Sequence, residues 1–118
     1  MIKLKRESFD VSLYAGKQHV RRAVAGYTYN NTFGIDNTTR ESLPAFASGI
    51  KSRYWKVTHM PSGRAITFGF DTLKQARLFV ALICNATDWQ LSNGNAITAL
   101  RPDIKQVISS ARIEALNL

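Results

Sequence analysis

One cysteine, two histidines and eight acidic residues are spread over 118 positions, and each scarcity excludes a class of chemistry. Cys84 alone cannot close an internal disulfide, so the reducing cytoplasm is the expected compartment, the host cytoplasm if the chain is phage-encoded. His19 and His59 are not at the spacing of a helical His pair, and with a single Cys they make no structural zinc site. The nearest acidic pairs, Glu7/Asp10 and Asp36/Glu41, do not form the carboxylate group that holds Mg²⁺ in a nuclease. No Gly-x-x-x-x-Gly-Lys phosphate loop is present. The expectation is a chain with no catalytic residues, no metal and no cofactor. The longest apolar run, residues 78–84, is far below the ~18–20 residues of a membrane span, so no membrane partner is expected. Residues 1–6 are charged and lead into alternation, unlike a secretory leader. The acceptor-like triplets at Asn30, Asn37 and Asn85 are chance matches in such a chain. No repeat or low-complexity tract appears, and 45% hydrophobic residues suffice for one core, so residues 1–118 are read as a single domain.

What the chain has in excess is positive charge, and it is unevenly distributed. Residues 1–64 hold eleven Lys/Arg against four acids, whereas residues 65–118 hold five against four. The N-terminal half is basic and the C-terminal half near neutral. Such a field draws polyanions: nucleic acid, or an acidic or nucleic-acid-binding protein complex.

Hydrophobic periodicity divides the chain the same way. Phe9, Val11 and Leu13 alternate with polar neighbours, which predicts a strand over residues 7–14, followed by a turn at Ala15-Gly16-Lys17. Residues 20–29 suit a second strand with a bend at Gly26. Residues 30–39, rich in Asn, Thr, Gly and Asp, read as a loop. Ser42 can cap a short helix carrying Pro44 in its first turn and ended by Gly49. Residues 54–59 and 64–70 form a hairpin around Met60-Pro61-Ser62-Gly63. Thr72 and Gln75 make a capping box for a helix reaching about Asn85, apolar nearly all round and therefore central. Asn93-Gly94-Asn95 reads as a turn. Pro102 starts a C-terminal amphipathic helix with an Ile104, Val107, Ile108, Ala111, Ala115 stripe. The expected fold is α+β: an antiparallel sheet with one buried central helix and a C-terminal amphipathic helix packed on one face.

The hairpin carries the strongest functional pattern. Alternation places Val57, Ile66 and Phe68 toward the helix and leaves Tyr54, Lys56, Thr58 and Thr67 on the other side. A polar, positive ribbon of this kind fits a DNA major groove, where Lys51, Arg53, Lys56 and Arg64 would reach phosphates or guanine edges. Arg21 and Arg22 beside a turn form a second expected phosphate contact, within the segment Lys17-Gln18-His19-Val20-Arg21-Arg22. Tyr54 is a candidate for base stacking, while Trp55 is expected to fill the core. His59 and Cys84 are read as packing residues.

Gly49-Ile50-Lys51-Ser52-Arg53, Trp55-Lys56-Val57, Gly63-Arg64 and Phe68-Gly69-Phe70-Asp71-Thr72-Leu73-Lys74-Gln75-Ala76 resemble the sheet-and-helix DNA-binding domains of plant ethylene-response factors. Related modules resemble the N-terminal arms of integrases and homing nucleases of mobile elements. The resemblance covers residues 49–76 and implies DNA binding through the sheet. Small size and high basicity are also similar to small phage and plasmid proteins. The leading expectation is thus a non-catalytic nucleic-acid-binding protein. Its alternatives are a phage counter-defence inhibitor of the anti-CRISPR or anti-restriction type, anchored by aromatics of residues 27–33, and a small virion or assembly component.

Overall fold

Each described strand but the last pairs with the one that follows it. The computed structural model describes residues 2–15, 18–89 and 102–118, with the side chains of residues 14, 15, 18 and 19 excepted. Its elements are β1 (Lys5–Ala15), β2 (Gln18–Tyr29), β3 (Phe33–Thr38), α1 (Leu43–Ala47), β4 (Lys51–His59), β5 (Arg64–Phe70), α2 (Leu73–Ile83) and α3 (Pro102–Leu116). The five strands form one antiparallel meander in the order β1-β2-β3-β4-β5. The α+β class expected from periodicity is the class observed. The turn at Ala15-Gly16-Lys17 involves residues outside those described, as do the turn at Asn93-Gly94-Asn95 and the side chains around His19.

One element differs from its sequence reading. Residues 30–39 do not form a loop; most of them are β3. Asn30 and Asn31 both adopt left-handed backbone, with φ of 55° and 53°. Thr32 N–H donates to the Tyr29 carbonyl at 3.0 Å and closes the reversal. Asn tolerates this conformation because its short polar side chain bonds locally. The chain then returns immediately, sending Phe33 and Ile35 into the core and Gly34 and Asp36 to the other face.

The two faces of the sheet are buried differently. On the outer face Phe33, Ile35, Val57 and Phe70 meet Ala76, Phe79, Val80 and Ile83 of α2, and Ile104, Ala111 and Ala115 of α3 complete the cluster. The Thr72–Gln75 capping box is present in both directions, which fixes where α2 begins. Gln75 also donates from Nε2 to the Leu116 carbonyl at 3.4 Å, tying the two helices together.

On the inner face Phe9, Val11, Leu13, Val24 and Phe46 form a second cluster. It exists because the β1–β2 hairpin curls across the sheet. Ser12 N–H donates to the Gly63 carbonyl at 2.8 Å, so the edge strand β1 reaches the β4–β5 turn and partly closes a barrel. A sheet with that much curl needs room at the crossing, and Gly34 supplies it: a Cβ there would lie 2.4 Å from the Phe9 ring. The short helix α1 seals one end with Phe46. Its N-cap is Ser42, whose Oγ accepts from Ala45 N–H at 3.2 Å, and Gly49 leaves it with φ of 69°.

Candidate nucleic-acid interface

The residues expected to bind a polyanion fall in three places. Strand β4 carries Lys51, Arg53, Tyr54 and Lys56, and its alternation is unbroken from Tyr54 to Thr58. Tyr54 and Lys56 therefore share the inner face, toward the open side of the half-barrel. Arg53 belongs to the opposite face, yet its guanidinium swings to 5.2 Å from the Tyr54 ring centroid. It also pairs with Asp71 at 3.4 Å, with three quarters of the side chain in solvent (75%). An ion pair this exposed is worth little and yields readily to another anion. Lys51 is exposed and donates from Nζ to Thr38 Oγ1 at 3.3 Å.

The other three residues lie elsewhere. Arg21 and Arg22 are successive strand residues and point to opposite faces of β2. Arg21 donates to the Met60 carbonyl at 3.1 Å and so helps pin the curled hairpin to the β4–β5 turn. Arg22 lines a groove with Val20, Leu43 and Phe46. Arg64 begins β5 opposite His59, at the end of the hairpin farthest from Lys51. Arg21, Arg53 and Lys56 thus have three different settings, and the seven residues make no single patch.

Lys56 has the most unusual environment of the group. Its register partner on β3 is Asp36, which is fully buried and grips Arg40 with both carboxylate oxygens, at 2.6 and 2.9 Å. Asp36 also accepts from Thr38 N–H at 2.9 Å. Arg40 in turn stacks its guanidinium 5.6 Å from the Phe46 ring centroid. The carboxylate is thus already satisfied. Lys56 is half-buried beside it, and burial holds its amine below the usual lysine range. The Arg40 charge acts in the same direction, while Asp36 and Glu41 pull back. Lys56 makes no direct ion pair among the described residues, although Asp36 and Glu41 are near enough to act on it.

Phe68 is the residue that sequence alternation misplaces. It was expected against the helix, but it stands directly opposite Lys56 with 65% of its surface in solvent. Two bulges in β5 are responsible. Gly69, with φ of 94°, is one extra residue between the Trp55–Phe70 and Lys56–Phe68 pairs, and Ile66 is another between Thr67 and Ala65. Each slip moves one residue to the other face, so Thr67 comes to lie opposite Val57 on the helix side, while Phe68 joins Tyr54 and Lys56. The glycine at position 69 was the available sign. Trp55 packs on the core as expected, with its ring 6.3 Å from that of Tyr27.

His59, the other residue weighed for chemistry, is fully buried in the interior. Its Nε2 donates to the Trp89 carbonyl at 3.0 Å, since a carbonyl can only accept, and its Nδ1 is hydrogen-bonded to Ser62 Oγ at 2.8 Å. A Ser–His pair with both ring nitrogens engaged holds the hairpin turn to the segment after α2. The aromatics of residues 27–33 are not the exposed anchors expected for a protein partner: Phe33 is buried and Tyr27 and Tyr29 are half-buried. Among the described residues no group of three His, Cys, Asp or Glu side chains is placed to hold a metal ion. No described helix is long and apolar enough to cross a membrane.

The inner-face strip of β4 and β5 is thus built from two solvent-facing aromatic rings, Tyr54 and Phe68, flanked by Lys51, Arg53 and Lys56. Comparison with family models, with curated proteins and with solved structures returned no match.

Proposed function

We propose that this protein binds nucleic acid without catalysis, and that it holds single strands on the Tyr54–Phe68 strip. The observation that carries the reading is the exposed Phe68 ring set across the strand pair from Lys56, which has no direct ion pair among the described residues. An exposed phenylalanine beside a tyrosine, both framed by cations, matches the way single-strand binders work. Bases stack on rings irrespective of sequence, at about 1–3 kcal/mol each, while cations follow the phosphates. A duplex hides its base faces, so stacking favours unpaired strands over the groove docking expected from the hairpin pattern. Phosphate next to Lys56 supplies the direct ion pair that Asp36, already committed to Arg40, does not.

The test is fluorescence anisotropy with labelled single-stranded DNA, duplex DNA and RNA over a range of salt. Single strands should bind tighter than duplex. The log–log salt slope should be about −2 for three phosphate contacts, at roughly −0.7 per contact. Lys56→Ala should weaken binding to every sequence and reduce the slope by about 0.7. Absence of binding at low salt would overturn the proposal, as would unchanged affinity in Lys56→Ala.

A further inference from the structure

A second concavity lies on the outer face of the sheet, away from the strip. It is a cavity of about 600 Å³ between the segment before β1, strand β2 and the first turns of α2. Ile2, Leu4, Tyr27 and Leu73 give it an apolar wall, and Lys3, Lys74 and Arg77 give it charge. No carboxylate lines it. Its volume falls in the range of small-molecule sites, which are mostly apolar with a few placed polar groups.

Arg77 adds an independent observation. Its Nε is shut off from water and has no hydrogen-bond partner. Buried donors are almost always paired, and an unpaired one costs about 1–3 kcal/mol, more when the group is charged. Only Nε is sealed; the guanidinium makes no hydrogen bond or ion pair among the described residues, and its terminal nitrogens are the part that a ligand in the cavity can meet. Lys3 and Lys74 on the same lining reinforce the sign of what is missing.

The geometry points to a binding site for a small amphipathic anion: an aliphatic tail against Ile2, Leu4 and Leu73, and a carboxylate or phosphate monoester head on Arg77, with Lys3 and Lys74 beside it. In the bound form the terminal nitrogens of the guanidinium donate to the head-group oxygens, the charge-assisted contact that arginine favours. A nucleotide fits less well, because among the described residues the lining holds no carboxylate or amide side chain to accept from base and sugar donors. The site does not depend on nucleic-acid binding by the strip.

The test is isothermal titration of the full chain with decanoate, decyl phosphate and the uncharged control decanol, all below their aggregation limits. At least one anion should bind saturably, at least tenfold tighter than decanol, and methyl resonances of Ile2, Leu4 and Leu73 should shift. The relative affinities of the two anions identify the head group. Arg77→Met should erase the preference for anion over alcohol. Lys74→Glu, at an exposed position, leaves the fold intact and should weaken the anion at least tenfold. No saturable binding, equal binding of decanol, or unchanged anion affinity in Lys74→Glu would overturn the site. Phe68→Ala should leave decanoate affinity unchanged, which separates this site from the strip.

Discussion

The curl that brings Ser12 to Gly63 requires that nothing protrude from Gly34, and a single methyl group tests this. A Cβ at Gly34 would lie 2.4, 2.6 and 2.7 Å from three atoms of the Phe9 ring. Ordinary carbon contacts begin near 3.5 Å, so the ring must recede by about 1 Å or tilt out of its site. Gly34 is not a left-handed glycine, so alanine meets no dihedral objection there and the cost is steric. Overpacking of this kind costs about 1–3 kcal/mol. Complete loss of Phe9, which is 5% exposed, costs about 3–5 kcal/mol as Phe9→Ala. In a Phe9→Ala background the added methyl fills vacated space, so Gly34→Ala should then be neutral or stabilising. The double-mutant cycle, measured by urea unfolding, should give a coupling energy of at least about 1 kcal/mol. Additive costs, or a Gly34→Ala protein as stable as the parent, would refute the packing of β1 across the sheet.

Three further outcomes are expected. Arg40→Met leaves Asp36 buried with only the Thr38 N–H as partner and should destabilise by about 3–5 kcal/mol; adding Asp36→Asn should recover part of that loss in the same urea assay. His59→Ala leaves the Trp89 carbonyl without its partner, removes one of the hydrogen bonds of Ser62 Oγ and opens a void, at about 2–4 kcal/mol, which urea unfolding followed by tryptophan fluorescence will report. Lys56 is held below its unfolded value, so the folded state releases this proton first and the group's penalty is present at neutral pH and fades as pH rises toward about 10.4. Lys56→Met should therefore be the more stable protein at pH 7, and thermal melts should show the gap narrowing as pH approaches 10.5; a gap that is constant with pH contradicts the desolvation of this amine.

How much of this was legible in the sequence depends on how local each signal is. The Thr72–Gln75 box, the Ser42 cap, Gly63 in its turn and the period-two run through Phe9, Val11 and Leu13 are written within a few residues, and the elements they announce are present. Strand β3 was hidden because its entry is made by Asn30-Asn31, which resembles loop composition although two left-handed asparagines make a tight reversal. Phe68 was assigned to the wrong face because strict alternation ignores bulges. Lys51, Arg53, Tyr54 and Lys56 could be read as a group because one strand carries them. The position of Arg21 and Arg22 could not, since it follows from the curl of the hairpin. The cavity at Arg77 joins residues 2–4, 27 and 73–77, and no pattern along the chain connects those.

The most direct test of the Tyr54–Phe68 strip is to remove the bases and keep the phosphates. Anisotropy titrations should compare an oligo-dT strand with an abasic strand of equal length, using the parent protein and the Tyr54→Ala/Phe68→Ala variant. Stacking on two rings at about 1–3 kcal/mol each should make the parent prefer oligo-dT by at least tenfold, and the variant should lose that preference while retaining abasic affinity. Equal binding of the two strands by the parent, or a preference that survives loss of both rings, would contradict the assignment.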